Sequence, residues 1–132
     1  MLMRLRTRPA GSSEGGFTVI ELLVVIIVIG ILLAIAVPSY LGFRDRAANN
    51  EAKANLRSAL PAAEAYYADN STYVGMEAAD LTAIDSGVSS TLKVSSAASS
   101  SFCLTDTVNG KTWSVLGPGP SSADFTNNST CA

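Results

Sequence analysis

One carboxylate interrupts an apolar run long enough to cross a membrane. From Phe17 to Val37 the chain has 21 residues, and only Thr18 and Glu21 are polar. As a helix rising about 1.5 Å per residue, the run would extend about 31 Å, the thickness of a hydrocarbon core. β-Branched residues dominate it, but a lone strand leaves its backbone unsatisfied in lipid, so the run reads as helix. A carboxylate costs up to about 3 kcal/mol at mid-span and less near a helix end, so Glu21 calls for a role.

The flanks orient the run. Residues 1–16 carry Arg4, Arg6 and Arg8 against Glu14, a net +2. The other 116 residues carry six basic and ten acidic groups, a net −4. The positive-inside rule places residues 1–16 in the cytoplasm and the C-terminal part outside. An acidic body argues against general nucleic-acid binding through phosphate contacts. The sequence has no histidine, the commonest general base and transition-metal ligand. With no nucleophile–base pair and no phosphate loop in view, the chain reads as a non-enzyme without a cofactor.

Three readings of the run compete. A plain single-pass anchor explains its length and the arginines but not Glu21. A secretory signal peptide would use Leu22–Leu33 as its apolar core and Ala34-Ile35-Ala36 as a small-x-small cleavage site. Against it, the apolar block is long and Glu21 breaks its start. The third is a prepilin-type signal, cut ahead of the apolar segment, which is kept.

Gly15-Gly16, then Phe17-Thr18-Val19-Ile20-Glu21-Leu22-Leu23-Val24-Val25, then Gly30, Pro38 and Tyr40, resemble the type IV pilin and pseudopilin family. The resemblance is strong over residues 15–46 and fades beyond. It implies a leader of residues 1–16, cut by a prepilin peptidase between Gly16 and Phe17, with Phe17 then N-methylated. It implies that Glu21 contacts the N-terminal amine of a neighbouring subunit during assembly. An α-amino group of pKa near 8 is largely cationic at neutral pH, so the contact would join opposite charges in an apolar interior. The implied partners are other copies of the chain, the peptidase, an assembly platform with its cytoplasmic ATPase, and the inner membrane before assembly. The finished filament would stand on the cell surface. The implied fold is α+β: a long helical spine and a small antiparallel head of three or four strands.

The residues give the spine more detail. Helix is expected from about 17 to 68, apolar over 17–41 and amphipathic over 42–68, with a head over 69–132. Kinks are expected near Pro38 and Pro61, since proline lacks an N–H and crowds the carbonyl four residues back. Gly30 adds backbone freedom, and with Pro38 it marks the weakest stretch; the resemblance implies that this stretch can loosen in a filament. Ala48, Ala52, Leu56, Ala59, Leu60, Ala63 and Tyr67 form one apolar face. The charged residues at 44–57 read either as a solvated face or as inter-subunit ion pairs. Asp69-Asn70-Ser71 should end the helix.

In the head, Tyr73-Val74-Gly75 and Ala79-Asp80-Leu81 resemble the family's connecting loop. Leu92–Val94, Phe102–Thr105 and Thr112–Leu116 read as strands, with a hairpin turn at Asn109-Gly110. Gly117-Pro118-Gly119-Pro120 should end the last of these. Ser95–Ser101 reads as a flexible linker or a carrier of O-linked sugars. Cys103 and Cys131 are expected to pair: the outside compartment permits it, many pilins carry such a C-terminal loop, and the alternative is two buried thiols. Two cysteines without histidine argue against a metal centre. Asp124 and nearby carbonyls offer a weak calcium set. Asn70, Asn127 and Asn128 open N-glycosylation triplets, a weak signal.

Overall fold

The structure, a computed structural model, describes residues 15–119, 125–127 and 130–131. The leader expectations on residues 1–14, and those on Asp124 and Asn128, lie outside these residues. The chain divides after Pro38 into two units, Met1–Pro38 and Ser39–Ala132.

Helix α1 runs Val19–Asn70 and is helical through Gly30, Pro38 and Pro61. Its end is built from local chemistry. Ser71 takes φ 58° and donates its N–H to the Tyr67 carbonyl at 2.7 Å. The Asn70 amide turns back to the Tyr66 carbonyl at 2.9 Å. The turn expected at residues 69–71 forms there.

In the second unit, α1 buries Ala48, Ala52, Leu56, Ala59, Ala62 and Ala63. Five of these six are alanine, so the buried face of the helix is built of small side chains. Leu60 is half-buried, and Tyr67 lies at the rim, 38% exposed. The sheet is antiparallel, in the order β1 (Lys93–Ala97), β2 (Phe102–Val108), β3 (Lys111–Gly117), β4 (Phe125–Thr126). Asn109 and Gly110 take φ 47° and 78°, the left-handed pair that a two-residue hairpin requires, and they set Val108 opposite Lys111.

Two expectations are corrected. Ala79-Asp80-Leu81 lies on a short helix, α2 (Ala78–Ile84), and not in a loop. The Asp80 carboxylate accepts the Glu77 N–H at 2.8 Å, a cap that propensity within an alanine- and aspartate-rich segment did not announce. Leu81 is fully buried, so the tucking role stands while the backbone differs. Ser95, Ser96 and Ala97 belong to strand β1 and not to a linker. Serine is a poor strand former alone, but the Ser95 hydroxyl meets the Thr105 hydroxyl across the pair at 2.9 Å, beside a bulge between Val94 and Ser96. The connection shrinks to Ala98–Ser101, closed by the Ala98 N–H on the Ser101 carbonyl at 2.8 Å.

The core joins Leu56, Tyr73, Met76, Leu81, Leu92, Phe102, Leu104 and Val115. Tyr73 stacks on Tyr67 and Phe102, each with ring centroids 4.7 Å apart. Burial first, then the Glu64 carboxylate, raises the Tyr73 phenol above its usual pKa. Phe102 lies over its register partner Gly117, where an added Cβ would fall 2.1 Å from the ring. Only glycine fits beneath that ring.

The polar side of α1 is also put to use. Asp45, Asn49, Lys53 and Arg57 recur every four residues and so form one stripe. Asp45 pairs with Lys111 at 3.2 Å, and Asn49 accepts the Trp113 indole N–H at 3.0 Å. The Lys53 ammonium sits 4.3 Å from the Trp113 ring centre, and the Arg57 guanidinium 5.1 Å from that of Phe125. These four residues of the charged stretch form a seam with β3 and β4 within one chain. Asp106 is buried on β2 and accepts from the Asn55 amide at 2.8 Å and the Thr91 hydroxyl at 2.5 Å. Cys103 and Cys131 form a disulfide that closes a span of 28 residues and ties the tail to β2. The Ser114 hydroxyl donates to the Thr130 carbonyl at 3.0 Å, a second tie to the same tail.

Candidate assembly site at the start of the long helix

The site begins where regular structure begins. Gly15, Gly16 and Phe17 are exposed and non-helical, and the Phe17 side chain is 90% exposed. The Gly16–Phe17 bond lies within this exposed stretch.

Thr18 and Glu21 then close a reciprocal cap. The Glu21 N–H donates to the Thr18 hydroxyl oxygen at 3.2 Å. The Glu21 carboxylate accepts the Thr18 N–H and the Thr18 hydroxyl, each at 3.1 Å. This is a capping box: a Thr at the cap and a Glu three residues on satisfy donors that the helix's own ladder leaves open. The carboxylate also lies at the helix end whose partial charge is positive. Both bonds fall on Oε2, and among the described residues Oε1 has no hydrogen-bond partner. The Thr-x-x-Glu signal stands in the sequence at 18–21.

Beyond the cap, every residue from Val19 to Pro38 is exposed, including Leu22, Val24, Ile26, Ile29, Ile31 and Ile35. This helix is long and apolar enough to span a membrane, and none of its most apolar window is buried. A soluble monomer rarely leaves so much contiguous apolar surface uncovered. Gly30 and Pro38 are both helical within it. Asn70 and Asn127 are exposed, as a sugar acceptor must be, on a helix end and beside β4.

The chain matches the model of the prokaryotic N-terminal methylation motif over residues 11–37. It is 38% identical over 94 residues to the type IV wide pilus major component PilA4 of Thermus thermophilus, covering 67% of this chain and 70% of that one. It is 41% identical over 58 residues to the type IV major pilin protein PilA of Myxococcus xanthus, covering 44% of this chain but only 26% of that one. It is 38% identical over 70 residues to the type II secretion system core protein G of Pseudomonas aeruginosa, covering 50% of this chain and 49% of that one. The chain thus spans about a quarter of the Myxococcus relative and about half of the Pseudomonas one. The exposed helix, its cap and the stapled head define a subunit with an unpartnered N-terminal helix. The chain belongs to the type IV pilin family.

Proposed function

We propose that this chain is a major pilin, a structural subunit that polymerises through α1 into a surface filament after its leader is removed. The observation that carries the reading is a membrane-length helix left wholly exposed by its own chain and opening on Gly16–Phe17 with Glu21 four residues later. Before assembly the helix lies in the inner membrane, N-terminus inside and head outside. Prepilin peptidase cuts after Gly16 and Phe17 is methylated. The role is structural rather than catalytic, and the work of assembly comes from a cytoplasmic ATPase and its platform.

Glu21 has two duties in this reading. Oε2 holds the chain's own first turn through Thr18. Oε1 is left to accept the Phe17 amine of the next subunit. An ion pair away from water attracts strongly, and either charge left alone is penalised, so the contact sets the register of each arrival. Gly30 and Pro38 supply the stretch where the helix loosens as the filament forms.

Mass spectrometry of the mature N-terminus tests the reading. Methylated Phe17 supports it, whereas a chain beginning at Val37 identifies a cleaved secretory signal instead. A second reading, a subunit of a type II secretion pseudopilus, is favoured by the identity to core protein G. Long filaments sheared from cells support the pilus. Secreted enzymes trapped inside cells lacking this chain support the secretion role.

A further inference from the structure

Within the second unit, burial starts only at Ala48. The helical residues before it, Ser39–Ala47, are all exposed and form a bare neck. Its composition is graded. Tyr40, Leu41 and Phe43 are 61%, 54% and 70% exposed, and the exposed Arg44 and Arg46 follow. Asp45, between the arginines, is engaged by Lys111 at 3.2 Å. Among the described residues, neither arginine enters an ion pair.

Tyrosine and arginine each favour the boundary between lipid chains and water, where the Tyr40 phenol is half-solvated and a guanidinium forks onto phosphate, while the Phe43 ring faces the lipid chains. The dimensions agree. Tyr40 to Arg46 covers about 9 Å of helix, close to one headgroup layer of about 5–8 Å. The apolar residues Leu22–Pro38 cover about 26 Å, close to the hydrocarbon core. The two arginines, two residues apart, point to nearly opposite sides of the helix. A partner protein with one docking face would engage one of them, whereas a headgroup layer reaches both flanks of the helix beside the Asp45–Lys111 contact.

We propose that Tyr40, Phe43, Arg44 and Arg46 form a collar that binds the phosphate layer of an anionic membrane on the head side. The collar fixes the depth of the waiting subunit, and with it the level of Glu21 at the opposite face. The inference rests on the membrane-resident precursor of the reading above. Arg44 and Arg46 each strengthen attachment to an anionic surface about fivefold.

Depth-resolved fluorescence quenching of the full chain in phosphatidylcholine–phosphatidylglycerol vesicles tests it. Tryptophan is introduced as Phe43→Trp or, for mid-span, Val28→Trp, with Trp113 as the common background. Nitroxide headgroup lipid should quench the tryptophan at 43 more than chain-brominated lipid does, and the order should invert at 28. Adding Arg44→Gln with Arg46→Gln should at least halve the headgroup-over-chain quenching ratio at 43. An unchanged ratio removes the arginines from the role. Quenching at 28 without quenching at 43 overturns the collar alone and indicates that protein covers the neck. No quenching at 28 overturns membrane residence and the inference with it.

Discussion

The two halves of α1 follow opposite rules. Up to Pro38 the helix is apolar on all sides and exposed on all sides. From Ala48 onward it is apolar on one side only, and that side is buried. The second half finds its partner, the sheet, in its own chain. Among the described residues nothing buries the first half, so its sequence encodes a surroundings rather than a fold. Side chains chosen for lipid or for other helices need only be apolar, which is why leucine, isoleucine and valine alternate there without a stripe. Side chains chosen for one sheet must also fit its shape, which is why alanine dominates the buried face.

Substitutions can break this contrast. The largest expected effect is Phe102→Ala, which empties the ring's place in the core and should cost the head about 3–5 kcal/mol of stability. Ile29→Ala, at the exposed end of the same helix, should change thermal unfolding of the detergent-solubilised chain by less than about 0.5 kcal/mol. Similar losses at the two positions, followed by circular dichroism, would erase the distinction. Cys103→Ser with Cys131→Ser should cost about 3 kcal/mol, read as a lower urea midpoint. Asp106→Ala should cost about 1–3 kcal/mol, because the half-buried Asn55 amide and the Thr91 hydroxyl lose their shared acceptor.

Smaller effects sharpen the contrast. Thr18→Val removes the cap and keeps the Glu21 charge, while Glu21→Ala removes both. Loss of the cap should fray the first turn by about 1 kcal/mol and leave the head's unfolding unchanged. Glu21→Ala should also leave cleavage intact and impair filament yield; a normal yield would remove Glu21 from assembly. Tyr73 makes a pH-dependent case. Its pKa is raised in the folded state, so the stability tied to its neutral phenol is fully present below the unfolded value of about 10. It is lost as pH rises through the higher folded value. Alkaline unfolding followed by near-ultraviolet absorbance should show this slope, and Tyr73→Phe should flatten it.

Much of this was legible from residues alone. The helix, its end at 69–71 and the Asn109-Gly110 turn follow from local chemistry, the Cys103–Cys131 pairing from compartment and family resemblance, and the structure has each in place. What escaped depends on neighbours distant in sequence. Nothing local says that Lys53 has an indole beneath it or that Arg57 has a ring, because Trp113 and Phe125 come sixty or more residues later. Nothing local turns serines into a strand until Thr105 lies opposite. Ala62, three residues after Ala59, is buried with the apolar face as well. The missed cap at Thr18–Glu21 is different. Its signal is complete within four residues, Thr18 to Glu21, and depends on no distant neighbour.

Phe102 over Gly117 has a consequence for protein engineering. The β2–β3 hairpin is indexed twice, by the Asn109-Gly110 turn at its tip and by a ring that admits only glycine at its base. A slip of one residue would set Leu116 or Pro118 under the ring. The base index survives if the tip is rewritten, and around Gly110 there is open space. The tip is therefore the place to vary the turn: a changed sequence at 109–110 leaves strand alignment to the Phe102 ring over Gly117.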